Sequence, residues 1–327
     1  MKQSSIALVL ILLLPCSVFA QPKEGVKVRV SYSVISAASL VTWVAKDAGI
    51  FRKHGLDVDL IYIGSATKAV SATISGDTPI TQGAGTGSVL ARLSGADTVW
   101  VGSILDTTNQ SLVVVPAIRT PQDLRGKTLG VTRFGSLSDF GVRKYLQTVG
   151  LDPDRDAKIL QMGGLPETLA AMQGGFIHGG ALSSPILTKA KMLGFNELID
   201  LGTLGIKYPA TSFITTESYL KTNRAVVSQF LQAIIEGAFY VKGHKDVSIS
   251  VLRKYTKITE APILDDTYEI YIHRYIRPVP TPSPEEAKTV LDQIKDNPKA
   301  RTADPASFIR ADVMAEIEQS GFIRSLR

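Results

Sequence analysis

The chain is 327 residues long, 44% hydrophobic and 20% charged, an ordinary globular composition with room for two domains of about 100–200 residues each. The net charge is +6, but the basic residues are dispersed and no stripe of them alternates with aromatics, so no nucleic-acid partner is expected. Cys16 is the only cysteine, and it lies so near the N-terminus that the folded part is expected to lack disulfides, thiolate metal sites and cysteine nucleophiles.

The first residues read as a leader. Lys2 precedes an apolar run over 6–14, followed by Pro15 and then Ser17-Val18-Phe19-Ala20. A charge, a short apolar core and a small-x-Ala ending are the marks of a secretory signal, here expected to be cut after Ala20. The apolar run is too short to stay in a membrane as a spanning helix. Pro15 spoils the match of Leu13-Leu14-Pro15-Cys16 to a lipoprotein box, so anchoring through Cys16 is not expected. Loss of Lys2 takes the net charge from +6 to +5.

Residues 26–31 alternate apolar and basic side chains and predict a strand. A small-residue loop over 32–39 follows, holding Ser33, Ser36 and Ala37. A helix is predicted over 40–48, with Leu40, Trp43, Val44 and Ala48 on one face and Gly49 ending it. After a turn over 51–55 come a strand over 56–63, the pair Gly64-Ser65 and a helix over 66–75. A short strand over 80–82 runs into Gly83, Gly85, Thr86 and Gly87, then a helix over 89–93 and a strand over 98–105. Strand and helix alternate throughout, as in a sheet of parallel strands with helices on both faces.

The order then starts again. A strand over 128–132 leads through Arg133, Phe134, Gly135 and Ser136 to a helix over 138–148. Ser136 and Asp139 stand at S-x-x-D spacing, a helix-start signal. Free N–H groups and the positive end of the helix dipole would point out of that turn, and Arg133 could add a guanidinium to hold an anion there. A plain turn with a surface arginine is the alternative. A strand over 158–162, a helix over 167–173 with Pro166 at its first position, and a strand over 176–182 running into Ser183-Ser184-Pro185 complete the second unit. Sliding the chain by 101 residues places Val30 on Val131 and Gly49 on Gly150, so two related lobes are expected. Two strong β runs, 111–115 and 210–216, are expected to be the crossings between them. Beyond Glu217 the pattern is helical, over 223–242, 247–255, 261–276, 284–295 and 312–320. Pro278, Pro280, Pro282 and Pro284 make a stiff spacer.

Several motifs fail on spacing. Gly126-Lys127-Thr128 resembles the end of a phosphate loop, but Pro121 stands where its first glycine should be. Gly83-x-Gly85-x-Gly87 lacks the dinucleotide spacing. The four histidines form no tight ligand pair, no G-x-S-x-G elbow exists, and no metal or other cofactor is expected. Trp43 and Trp100 fall on apolar faces and predict core, while Asp106 could be a hinge carboxylate or a cap. Placement is the stronger signal. Ser33 and Ser36, Gly64 and Ser65, Gly85 and Thr86, Arg133 to Ser136, and Ser183 and Ser184 all follow the carboxyl end of a strand, where open α/β sheets bind ligands. These loops offer donors but no acid/base or nucleophile–base pair, which points to binding without chemistry.

With those residues in hand, the chain resembles the periplasmic solute-binding proteins of the nitrate/sulfonate/taurine group of ABC importers, which share their fold with thiamine-precursor-binding proteins. The stretch from Leu40 to Asp59, LVTWVAKDAGIFRKHGLDVD, carries most of the likeness, helped by DLRGKTLGV from Asp123, by Gly135-Ser136 and by LAAMQGG from Leu169. The resemblance implies a type II periplasmic-binding-protein fold of two open α/β sheets joined by a two-crossing hinge. Lobe 1 would be 26–112 with 213–327, and lobe 2 would be 113–212. It also implies a monomer in the periplasm that closes on a small-molecule ligand and docks on a membrane permease. Carried over by position, the ligand residues would be Ser33, Ser36, Ala37, Ser65, Gly85, Thr86, Arg133, Gly135, Ser136 and Ser184. Tyr208 joins them as a stacking candidate beside Tyr32, Tyr62 and Phe134. Two departures stand out: His178 replaces the group's usual Asp, and its first-lobe counterpart at 76–79 is altered. The implied function is capture of a small organic anion, a sulfonate or carboxylate. A sensor presenting the same lobes to a receptor, a binder of a neutral pyrimidine, and an enzyme on this fold are the alternatives.

Overall fold

Alternation builds the first strand: Val28 and Val30 turn into the core while Lys27 and Arg29 face out, the period of two that a half-covered sheet requires. The computed structural model describes residues 25–327 apart from Lys295, so the expected leader and Cys16 lie outside the described residues. Ten strands follow one another as β1 (Val26–Tyr32), β2 (Leu56–Tyr62), β3 (Ile80–Gly83), β4 (Thr98–Thr107), β5 (Ser111–Val114), β6 (Thr128–Val131), β7 (Lys158–Gln161), β8 (Gly179–Leu182), β9 (Asn196–Asp200) and β10 (Lys207–Thr216). They form two five-stranded sheets, ordered β2-β1-β3-β10-β4 and β7-β6-β8-β5-β9. Each sheet has three parallel strands, then one antiparallel strand, then a fifth. The same order twice is the repeat that the 101-residue slide predicts.

The two strong β runs are not the crossings. β10 inserts antiparallel between β3 and β4, and β5 inserts antiparallel between β8 and β9. All four residues of β5 are buried, as are all but Lys207 in β10, and strands covered on both faces belong in a sheet interior. The crossings are instead 108–110 and 201–206. Residues 111–112 and 207–212 therefore pair in the opposite sheets from those expected, because a strand pairs as a whole. β4 is consequently no neighbour of β3.

Several elements differ at their ends. The helix expected over 89–93 is Thr86–Leu93, because the Gly85 amide is anchored on the Pro209 carbonyl at 2.9 Å and starts the turn early. Helix Leu165–Gln173 begins at Leu165 with Gly164 as its cap, so Pro166 is its second residue. The span expected as one helix over 261–276 is helix Ala261–Ile270 followed by a π-helical turn, Tyr271–Tyr275. The turn expected over 51–55 overlaps a short helix, Ile50–Lys53. Helix Ile186–Met192 and β9 carry no strong periodicity and were not expected at all.

Trp43 and Trp100 are fully buried in the first lobe, as expected. Trp43 stacks on Tyr255 with centroids 4.6 Å apart, and Phe230 of helix Arg224–Gly243 meets Phe51 and Phe213 at 5.5 and 5.3 Å. Each such ring contributes about 1.5–3 kcal/mol by leaving water. The second sheet has a core on each face, one around Leu112, Leu129, Val131 and Leu146 and one around Leu169, Met172, Leu182 and Leu187.

Candidate functional site

Register places the loops. β4 ends at Thr107 opposite Lys207, and β5 starts at Ser111 opposite Leu182 and Asp200. The carboxyl ends of the parallel strands in both sheets therefore lie on the side where the chain crosses between them.

On the first-sheet side, Ser36 caps the short turn Ala37–Ser39, its Oγ accepting the Ala38 N–H at 3.3 Å. Ser36 and Ala37 are buried. Ser33 is half-buried against Gly83, where a Cβ would sit 2.7 Å from Ser33 Oγ and would turn that hydroxyl aside. Ser65 caps helix Ala66–Ile74 through the Lys68 N–H at 3.4 Å. Gly85 lies so close to the Trp100 ring and Pro209 that a side chain would collide with both. Thr86 Oγ1 and the Tyr208 hydroxyl are 2.7 Å apart. Tyr208 is fully buried, which pushes its hydroxyl up to about 12. Its ring stacks on Phe140 of the second lobe, centroids 4.7 Å apart.

On the second-sheet side, the Thr132, Ser136 and Ser138 hydroxyls lie within 2.8–3.0 Å of one another, and Ser136 caps helix Leu137–Thr148 through the Asp139 N–H at 3.5 Å. Gly135 adopts φ +76°, which glycine tolerates. Its N–H donates to Asp139 Oδ2 at 2.9 Å, while Asp139 Oδ1 accepts from Arg143 Nε at 2.8 Å. The amide expected to greet an anion is thus taken by the chain's own carboxylate. Arg133 is exposed, and its guanidinium has no ion pair or hydrogen bond among the described residues. Phe134 is half exposed, with the Arg143 guanidinium 6.0 Å from its ring centre. Ser184 is buried, 3.2 Å from Thr188 Oγ1, which donates to Asp266 Oδ2 of helix Ala261–Ile270 at 2.7 Å. It belongs to a seam between the lobes.

Residues absent from the sequence-based set tie these loops together. The Tyr271 hydroxyl accepts from Asn109 Nδ2 at 2.8 Å, and the Ser36 and Ser183 hydroxyls also bear on it. The phenol is thereby bonded to the first crossing. Burial pushes it up to about 12. One turn on, the Tyr275 hydroxyl donates to Asp200 Oδ1 at 2.9 Å, and Arg274 reaches Asp200 Oδ2 at 3.3 Å. The only sequence signal was an i, i+4 tyrosine pair in a helical stretch. The predicted residues divide accordingly. Thr86 and Tyr208 meet the start of helix Leu137–Thr148, Ser36 caps its own turn, Arg133 stands free, and the Ser65 hydroxyl bonds only its own helix among the described residues.

The other titratable groups near the crossings are engaged: Asp139 with Arg143, Asp200 with Arg274 and Tyr275, and Asp106 with Lys207 and Arg277. Among the described residues no group of three His, Cys, Asp or Glu side chains could hold a metal ion, and no helix is long and apolar enough to cross a membrane. His178, in place of the expected aspartate, accepts the Thr128 N–H on Nδ1 at 3.2 Å, so it supplies the acceptor a carboxylate would.

The family described as NMT1/THI5 like matches residues 37–247. YtlA of Bacillus subtilis, named only as a candidate binding protein, is 24% identical over 294 residues, 85% of this chain and 86% of that one. The formylaminopyrimidine-binding protein of Halalkalibacterium halodurans is 21% identical over 252 residues, 72% of each chain. Among solved structures, the periplasmic aliphatic sulphonate binding protein SsuA from Escherichia coli superposes with TM-score 0.74 at 19% identity, over 89% of this chain and 99% of that one. The two-lobed fold is therefore the periplasmic-binding-protein fold.

Proposed function

Because this chain belongs to the NMT1/THI5-like family, we propose that it is the solute-binding component of an ABC importer. It takes a small organic anion, of sulfonate or carboxylate type, between its lobes and delivers it to a membrane permease. It works in the periplasm as a monomer, after loss of residues 1–20. The relatives that bear names are binding proteins, in keeping with loops that offer hydrogen bonds and no acid/base pair.

The observation that carries the anion is Arg133. It is exposed, without a partner among the described residues, and three residues before the cap of helix Leu137–Thr148. A guanidinium left unpaired beside hydroxyl-rich loops is the charge that a sulfonate or carboxylate would complete. The test is a thermal-shift screen of the chain from Gln21 onward against sulfonates, carboxylates, nitrate and pyrimidines. Ligand at about 100 times its dissociation constant adds about 2.7 kcal/mol of stability. Titration calorimetry of Arg133→Ala should then show affinity for the hit falling about tenfold or more, and a loss under about 1 kcal/mol would remove the charge-assisted role.

One observation favours a second reading. The Gly135 amide is occupied by Asp139, and the exposed Phe134 ring stands one residue before it. A neutral pyrimidine, as in the formylaminopyrimidine-binding relative, would suit that arrangement. A screen with hits among heterocycles alone would decide for it.

A further inference from the structure

The space between the lobes has a tethered side and a mouth. β10 and β4 lie at one edge of the first sheet, β5 and β9 at one edge of the second, and both crossings join these strands. The opposite edges are β2 and β7. The residues at the carboxyl ends of β2 and β7 therefore stand at the mouth, farthest from the crossings.

Each lobe places an exposed aromatic ring there. On the first lobe it is Tyr62, the last residue of β2, which is 49% exposed and whose hydroxyl has no hydrogen bond among the described residues. The ring has firm backing. It leans on Tyr32 with centroids 5.4 Å apart, Tyr32 meets Trp43 edge-on at 5.8 Å, and Trp43 stacks on Tyr255. Gly64 leaves it room, since a Cβ there would sit 2.9 Å from the Tyr62 hydroxyl. On the second lobe the ring is Phe134, 53% exposed. Its N–H donates at 2.9 Å to Oε1 of Gln161, the last residue of β7, which ties this loop to the mouth edge. Ile35, in the loop after β1, is a third exposed apolar side chain at this end of the first lobe. Single exposed apolar side chains are ordinary, but a ring on each lobe at the same edge of one cleft marks a place where apolar area is covered on binding.

Arg133, which precedes Phe134, is the free guanidinium at this site. A charge and a ring on adjacent residues suit a ligand that has both. We propose that the ligand is an aryl anion, an arenesulfonate or aryl carboxylate. Its charged head lies on Arg133, and its ring points toward the mouth between Phe134 and Tyr62, which set the specificity. A ring held there gains by leaving water and by offset stacking. A small anion without an apolar body leaves both protein rings wet and gains from the charge alone.

Because the proposal rests on the anion reading, its test separates the head group from the ring. Titration calorimetry of the chain from Gln21 onward compares benzenesulfonate with methanesulfonate, and benzoate with acetate. Within each pair the aryl anion should bind about tenfold tighter or more. Phe134→Ala and Tyr62→Ala should each cut that advantage about threefold or more, while affinity for the methyl anions changes by less than about twofold. Aryl and methyl anions of equal affinity, or an advantage that both variants keep, overturn the proposal and leave the anion reading standing. Binding of none of the four overturns both. If a variant fails to fold, nuclear Overhauser spectra of the parent decide. Contacts from the ring protons of bound benzenesulfonate to the rings of Phe134 and Tyr62 support the proposal, and their absence overturns it.

Discussion

Asp139 puts one carboxylate to two uses. Oδ2 takes the Gly135 amide and Oδ1 takes Arg143, so the positive end of helix Leu137–Thr148 is already answered by a negative charge of the chain's own. An anion held by Arg133 meets that charge next door. Asp139→Asn should therefore tighten anion binding by about 0.5–1 kcal/mol, two- to fivefold, as titration calorimetry would read it. Unchanged or weaker binding would mean that the Gly135 amide does not face the ligand. The S-x-x-D spacing was enough to read the cap, and Ser136 is that cap. It could not say which oxygen takes which donor, because a capping carboxylate and an amide-blocking one have the same spacing. Arg133 was readable as a charge in the right loop; its freedom from partners depended on where distant acids fell.

At the scale of elements, the π-helical turn Tyr271–Tyr275 acts as a third tie beside the two crossings. Tyr271 holds Asn109 of the first crossing and Tyr275 holds Asp200 at the start of the second. Tyr271→Phe keeps the ring and removes the acceptor, leaving the buried Asn109 amide unbonded at a cost of about 1–3 kcal/mol. Thermal unfolding should show a fall of about 2–10 °C in Tm. An unchanged Tm would mean that Asn109 finds another acceptor and that the tie is dispensable. This element was hidden in the sequence for a definite reason. Tyr268, Tyr271 and Tyr275 keep helical spacing, so the change from α to π leaves the apolar pattern intact. The runs that became β5 and β10 were legible as β because of their apolar residues, but apolarity says nothing about which sheet a strand enters.

For the whole molecule, Glu286 sets a direction of stability with pH. Burial holds its carboxyl at about 7 in the fold against its ordinary 4.5. Between those values the unfolded chain ionises while the folded chain stays protonated, so the unfolded state binds fewer protons and stability falls as pH rises. Above about 7 both states are ionised and the contribution is flat. The loss amounts to at most about 3 kcal/mol. Denaturant unfolding at about pH 5 and pH 8 should show the parent losing more stability than Glu286→Gln. Equal losses would place the carboxyl's pKa near its ordinary value. At this scale the repeated lobe was readable from element order alone, whereas strand order was not, because β10 reaches its sheet only after the whole second lobe has been traversed. That detour sets the order of assembly. Every strand of the second sheet lies within one unbroken stretch, residues 111–200, so that sheet can close as soon as β9 is available. β3 can pair with β1 but its other edge has to wait for β10, and β4 has no partner in its sheet until β10 arrives. A chain threaded N-terminus first would carry a finished second lobe between two halves of an unfinished first one, with the edge of β3 open to other chains for that interval.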